Sequence, residues 1–267
     1  MTLLIDIIIH FHYNIKSDKN QVLLRNSAEK RFLNNIVQPS CKRIRSELQY
    51  DNRFTEYFLE AKKMNEQEVK SSQRRVFFTS DLHFGHENVI GFDNRPFATV
   101  EEMDAELIRR WNEKVGKGDL VYVLGDMIWK TRNGDAENLI RSLNGQIILI
   151  KGNHDRFLHN AKVKNTLAGV KDYDDICVKL EDGTDCRVIL CHYYIPFYIG
   201  HRYQAIHLYG HSHNTEEYLL EETIKRKLAE EGFVTRSYNV GCMHWNYEPV
   251  TLDEILRQAD TFVETTI

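Results

Sequence analysis

The sequence predicts an α/β protein: a four-layer αββα sandwich of two mixed sheets flanked by helices, preceded by a helical N-terminal extension. Three observations carry that expectation. From Arg75 onward, short bulky runs alternate with amphipathic helical stretches. One segment, Ile176 to Ile189, reads as a β-hairpin turning at Asp182-Gly183. Finally, five polar motifs each begin where a bulky run stops.

Composition divides the 267 residues into two parts. All 14 glycines lie between Gly85 and Gly241. Residues 1–73 carry 12 Lys/Arg against 9 Asp/Glu, a net of +3, whereas the rest carries 23 against 30, a net of −7. We therefore expect a helical or partly disordered extension over 1–73 and a catalytic domain over 74–267. In the extension, Ser27 is a candidate N-cap before Ala28 to Leu33, Pro39 interrupts, and Phe54 to Val69 is a second helical stretch. It reads either as a docking or oligomerisation arm or, more simply, as a leader or a cover for the catalytic domain.

Five strands are expected in the second part. Val76 to Thr79, Leu120 to Leu124, Ile147 to Ile150, Val188 to Leu190 and Ala205 to Tyr209 are rich in β-branched and aromatic residues. Helices fill the gaps. Thr99-Val-Glu-Glu102 has capping-box form and precedes Met103, Leu107, Trp111 and Val115, one apolar stripe. Ala136 to Leu143 is a shorter helix ending at Asn144-Gly145. Thr251-Leu-Asp-Glu254 opens the last helix with another capping box. In the hairpin, Cys177 falls opposite Val188 rather than Cys186, which argues against a disulfide. An odd set of five cysteines without a CxxC pair suits a reducing compartment. No apolar run approaches the roughly 18 residues of a membrane span. Leu3 to Ile9 is short, is broken by Asp6 and lacks a basic flank, so it makes a poor signal peptide. The cytoplasm is the expected location. The formal net charge of −4 gives no general attraction to nucleic acid or acidic membrane.

The chemistry sits in the five motifs: Asp81-Leu82-His83, Gly125-Asp126, Gly152-Asn153-His154-Asp155, Cys191-His192 and Gly210-His211-Ser212-His213. Singly most are weak, since a Gly-Asp pair after a strand is usually a turn. Together they offer more ligands than one metal ion can use, converging at the C-terminal ends of neighbouring strands. Two metal ions about 3.5–4 Å apart can neutralise a phosphoryl group and lower the pKa of a shared water. Asp126 is the natural bridge, an anionic carboxylate between two cations.

In order and spacing these motifs resemble the calcineurin-like metallophosphoesterases, and the match runs from about residue 75 to 256. The resemblance implies a metal-dependent phosphoester hydrolase, a phosphodiesterase or phosphatase, with a two-metal centre and a bridging hydroxide nucleophile. It implies that Asp81, His83 and His213 hold one metal, that Asn153, His192 and His211 hold the other, and that Asp126 is shared. It implies that His154 steadies the phosphoryl group or protonates the leaving oxygen, with Asp155 orienting it. Manganese, iron or zinc would suit the donors. His86, Asn88 and Arg95 are candidate substrate residues, the latter two on the loop after the first motif. Arg95 would clamp a phosphate with its planar fork or form a structural salt bridge near Pro96. His207 and Tyr209 suit core packing, His244 and Trp245 the pocket mouth, and Trp111 and Trp129 plain packing. A nuclease and a non-catalytic scaffold are the alternatives. The net acidic catalytic part disfavours the first and the complete ligand set the second. Few insertions point to an open site, a small-molecule phosphoester and diesters. The motifs leave the physiological substrate and the oligomeric state open.

Overall fold

The structure, a computed structural model, describes residues 74–130, 135–233 and 235–264. The expectations for the N-terminal extension fall outside these residues. Strands β1 (Val76–Thr79), β2 (Leu120–Val123) and β3 (Gln146–Ile150) follow the apolar runs. A three-residue β4 (Gly169–Lys171) and a two-residue β9 (Val250–Thr251) complete a five-stranded sheet ordered β4-β3-β2-β1-β9. Its strands are parallel apart from β9. The second sheet is β5 (Asp174–Lys179), β6 (Asp185–Leu190), β7 (Ile206–Tyr209) and β8 (Arg236–Asn239). There β5 and β6 are antiparallel and the remaining pairs parallel, so both sheets are mixed.

Side-chain alternation builds two cores. Phe77, Val121, Val123, Ile147 and Leu149 point to one face of the first sheet. They meet Met103, Leu107 and Trp111 of α2 (Val100–Lys114) and Ile140 of α3 (Ala136–Ser142). Phe78, Tyr122, Leu124 and Ile150 point the other way and pack on Val188, Leu190, Ile206 and Leu208 of the second sheet. A strand buried on both faces must be apolar throughout, which is why these runs stand out in the sequence. The second capping box forms in both directions, Thr251 N–H donating to the Glu254 carboxylate at 2.8 Å and Glu254 N–H to Thr251 Oγ1 at 3.3 Å. In the first, Glu102 N–H donates to Thr99 Oγ1 at 3.2 Å, while the Glu102 carboxylate accepts from Ala98 N–H, one residue further out.

Helix α1 (Glu87–Phe92) lies between β1 and α2. The short α4 (Ala161–Lys164) precedes β4, α5 (Glu216–Glu230) joins β7 to β8, and α6 (Leu252–Glu264) follows β9. Helix α5 buries no residue fully, and it meets the second sheet through half-buried polar groups. Lys225 lies over the Tyr209 ring at 5.1 Å. Among the described residues no helix is long and apolar enough to cross a membrane.

The hairpin register differs from expectation by one residue. Cys177 faces Arg187, and Cys186 faces Val178. A two-residue turn at Asp182-Gly183 would have paired Glu181 with Thr184. Instead Leu180 N–H donates to the Thr184 carbonyl, and Gly183, at φ +92°, takes the left-handed position of a three-residue loop. All four described cysteines are free thiols.

Candidate metal centre

Each motif leaves the end of its strand as a tight loop, and the ligand residues themselves make the turns. Asp81, His83, Asp126, His211 and His213 all have φ between +49° and +73°. The left-handed region costs an L-residue roughly 1–2 kcal/mol, and residues are held there where the surrounding contacts over-determine the conformation. The two sheets meet at these loops. Ser80 bridges to Gly241, and Cys242 N–H donates to the Ser80 carbonyl. Gly210 lies so close to the first sheet that a Cβ there would sit 2.0 Å from Ser80 Oγ and 2.4 Å from Asp81 Oδ2. Only glycine lets the fifth motif approach the first.

Both aspartates divide their labour between their two oxygens. Asp126 Oδ1 accepts from His154 N–H at 2.8 Å, which leaves Oδ2 at 3.6 Å from His83 Nε2 and 3.7 Å from His192 Nε2. Asp81 Oδ2 accepts from His211 N–H at 2.9 Å. Its Oδ1, buried and without a donor, lies 3.6 Å from His213 Nε2. His192 Nδ1 lies 2.7 Å from the Leu124 carbonyl, so Nδ1–H donates there and Nε2 is left as a lone pair. That nitrogen is 3.0 Å from Asn153 Oδ1.

Two groups of donors result, Asp81, His83 and His213 in one and Asp126, His192 and His211 in the other. Within each, the donor atoms lie inside 4.8 Å of one another. His83 Nε2 and His213 Nε2 face each other at 3.0 Å. Burial, reinforced by His213, pushes the His83 imidazole far below its ordinary value, and burial with His192 lowers His211. Both therefore present neutral rings, the form that ligates a metal. His213 is held higher: burial opposes its charge, but Asp93 and Asp81 outweigh it. An orphaned carboxylate oxygen and imidazole nitrogens aimed at shared points are donors that could hold divalent cations in the two groups.

The groups behind the ligands depart from the sequence reading. Of the two roles expected for Arg95, the structural salt bridge is the one that forms, not the phosphate clamp. The Arg95 side chain is 0 % exposed and is spent on Asp93 (2.8 Å), the Leu82 carbonyl (2.9 Å) and the Asp81 carbonyl (2.7 Å). Asp93 in turn lies 3.4 Å from His213 Nδ1, so the ion pair braces the first motif against the fifth. Asp155 does not orient His154. Its carboxylate accepts from the backbone N–H groups of Gly152 (2.8 Å), Asp126 (3.0 Å) and Met127 (2.9 Å), pinning the third motif to the second. Asn88 is an exposed residue of helix α1, not of a loop. His86 stays at the rim, buried against Trp129. His207 and Tyr209 are fully buried. His244 does not line a mouth. Its Nε2 sits 3.2 Å from the His213 carbonyl and its ring stacks on Tyr218, while Trp245 packs on the core between the sheets.

Residues to which the sequence reading gave no role at the site complete the surroundings. Ser212 Oγ donates to Glu221 of α5 at 2.8 Å and accepts from Asn239 Nδ2, which fixes the loop carrying His211 and His213. Trp129 and Tyr193, 43 % and 45 % exposed, stand beside the ligands. Trp129 is three residues past Asp126 and Tyr193 follows His192 directly, a proximity that was the available signal. His154 is half-buried, with its ring 4.6 Å from Trp129 and 5.8 Å from His83.

Comparison with known proteins agrees with this geometry. Over 187 residues the chain is 35% identical to an uncharacterized protein of Methanocaldococcus jannaschii, covering 70% of this chain and 92% of that one. It is 28% identical over 211 residues to the gene 66 protein of Mycobacterium phage D29, covering 71% of this chain and 98% of the phage protein. A solved structure of a protein of unknown function from Aquifex aeolicus superposes with a TM-score of 0.52 at 20% identity, covering 70% of this chain and all of the other, a likeness of fold. Residues 74–234 match the family described as calcineurin-like phosphoesterase. The chain belongs to the calcineurin-like phosphoesterase family.

Proposed function

We propose that this protein is a metal-dependent phosphoester hydrolase that works with two divalent cations and prefers small phosphodiesters. The observation that carries the reading is the position of Asp126 Oδ2, 3.6 Å from a histidine of one donor group and 3.7 Å from a histidine of the other. A carboxylate oxygen so placed would be shared between two ions. When bound, such a pair supplies Lewis-acid activation of the phosphoryl oxygens and of the attacking water. Manganese, iron or zinc suits the mixed imidazole and oxygen donors.

The chain's own residues do the rest. Asp81, His83 and His213 would hold one ion, and Asn153, His192 and His211 the other. His154 has its backbone N–H tied to Asp126 Oδ1, so its ring is fixed at the edge of the donor cluster while staying half open to solvent. From there it would contact the phosphoryl group and give a proton to the leaving oxygen as general acid. Asp155 sets the distance between the Asp126 and Asn153 loops. All the residues given these roles lie within 74–267, so a catalytic domain over that range is part of the proposal.

The test is turnover of aryl phosphodiesters by manganese-loaded protein and two variants. Asp126→Asn should lose most metal and nearly all activity. His154→Ala should keep its metal, lose turnover on esters with a poor leaving group, and lose far less on p-nitrophenyl esters, whose leaving oxygen needs no proton. Equal losses on both kinds of ester would remove the general-acid role. Metal-loaded protein that hydrolyses neither would remove the hydrolase reading.

A further inference from the structure

Two exposed aromatic rings bracket the donor cluster, one beside each group of ligands. Trp129 is fixed from below. Its backbone N–H donates to the Phe84 carbonyl, and its indole lies flat on His86, with centroids 4.0 Å apart and planes 10° apart. It is also 4.6 Å from the His154 ring. Tyr193, on the other side, meets His192 and His211 edge-on at 4.9 and 4.7 Å. An indole stacked on its neighbour, in a residue that is 43 % exposed, is a preorganised surface. It has already lost the freedom that binding would otherwise remove.

Packing does not explain this arrangement. Trp111 and Trp245 satisfy their indole N–H groups on the carbonyls of Asn144 and Asn239, and both pack on cores. Trp129 belongs to neither core. Stacking on an indole face selects a flat ring. The Glu217 carboxylate, 3.9 Å from His211 Nε2, lies on the Tyr193 side, Arg95 spends its guanidinium inward, and Lys130, next to Trp129, is exposed.

We infer that Trp129 is a substrate-binding residue that stacks a flat heterocycle of nucleobase size, so that the ester cleaved here is a nucleotide or nucleotide-like phosphoester. The inference rests on the hydrolase reading of the same site. Because His154 would protonate the leaving oxygen and adjoins Trp129, the stacked ring belongs to the leaving alcohol. Aromatic faces accept any base, so the structure assigns the class and no particular base.

The test compares two ligands that differ only in the base, the monomethyl 5′-methylenephosphonates of adenosine and of methyl riboside, which mimic diesters. In neither can the bond from phosphorus to the sugar carbon be hydrolysed. Affinity for manganese-loaded protein is read by calorimetry. Stacking of one base predicts that the adenosine compound binds about tenfold more tightly. Trp129→Leu should bring the two within about twofold, and Trp129→Phe, which keeps a ring, should retain part of the preference. Equal affinities in the unsubstituted protein, a preference that survives Trp129→Leu, or no binding of either compound at millimolar concentration would overturn the inference. The hydrolase reading fails separately. A base preference without metal-dependent turnover leaves the stacking and removes the hydrolase, whereas turnover without a base preference does the reverse.

Discussion

Asp155 offers the sharpest separation between two accounts of this site. In one it orients the catalytic histidine; in the other it fastens two loops. Its carboxylate accepts three backbone N–H groups at 2.8, 3.0 and 2.9 Å, and the residue is buried. Replacement by alanine leaves those three donors without a partner inside the protein. At about 1–3 kcal/mol for each unsatisfied donor, with partial relaxation, the loss should be roughly 3–5 kcal/mol. Asparagine should recover part of that loss, because its amide oxygen in place of Oδ2 can still accept from Gly152 and Asp126, while its NH2 would face the Met127 N–H. The loops it releases carry Asp126 and Asn153, so metal content should fall along with stability. Urea unfolding of metal-free protein gives the first number, and elemental analysis after dialysis against manganese gives the second. If Asp155→Asn kept normal stability and two metals per chain but lost turnover to the extent of His154→Ala, the loop-fastening argument would be refuted.

Two further outcomes follow from buried charge. Arg95→Met should cost about 3–5 kcal/mol in urea unfolding, because it strands Asp93 without its partner. Its KM for an aryl phosphodiester should match the parent once metal is saturating, and a raised KM would return Arg95 to the substrate. His207 is buried with Nδ1 3.2 Å from the Ile189 carbonyl, and its Nε2 accepts from Ile195 N–H at 3.2 Å while lying equally close to the Tyr193 carbonyl. Burial lowers its pKa to about 4 from an ordinary value near 6.5. With the folded value depressed, the unfolded chain takes up a proton first as pH falls. Stability from this residue is therefore intact above about pH 6.5 and lost between there and pH 4, by at most about 3 kcal/mol. The stability gap between the parent and His207→Gln should shrink across that window, and a constant gap would contradict the argument.

How legible the molecule was in its sequence depended on whether a residue's neighbours were close along the chain. Strands β1, β2 and β3 are buried on both faces, so their runs are apolar throughout and were found within a residue or so. Strand β8, Arg-Ser-Tyr-Asn at a sheet edge, and the three-residue β4 carry no such pattern. Helix α5 passed unnoticed because it rests on polar contacts through Glu221 and Lys225 rather than an apolar stripe. The ligands were legible because two aspartates, an asparagine and several histidines at strand ends are chemically unusual together. The direction in which a side chain points was not. Arg95 and Asp155 sit beside motif residues, yet both turn into the protein to satisfy backbone groups, and no spacing encodes that turn. Trp129, expected to pack in a core or on the surface, packs on His86 and stands exposed beside the ligands.

The central claim is that two ions act together here, and titrating manganese into chelator-stripped protein while following hydrolysis of a bis-aryl phosphodiester tests it most directly. Bound metal and rate are read on the same samples. The account predicts little turnover with one ion per chain, full turnover with two, and loss of both the second ion and the rate in Asp126→Asn. Full activity at one ion per chain, or two bound ions with no turnover of any phosphoester offered, would contradict it.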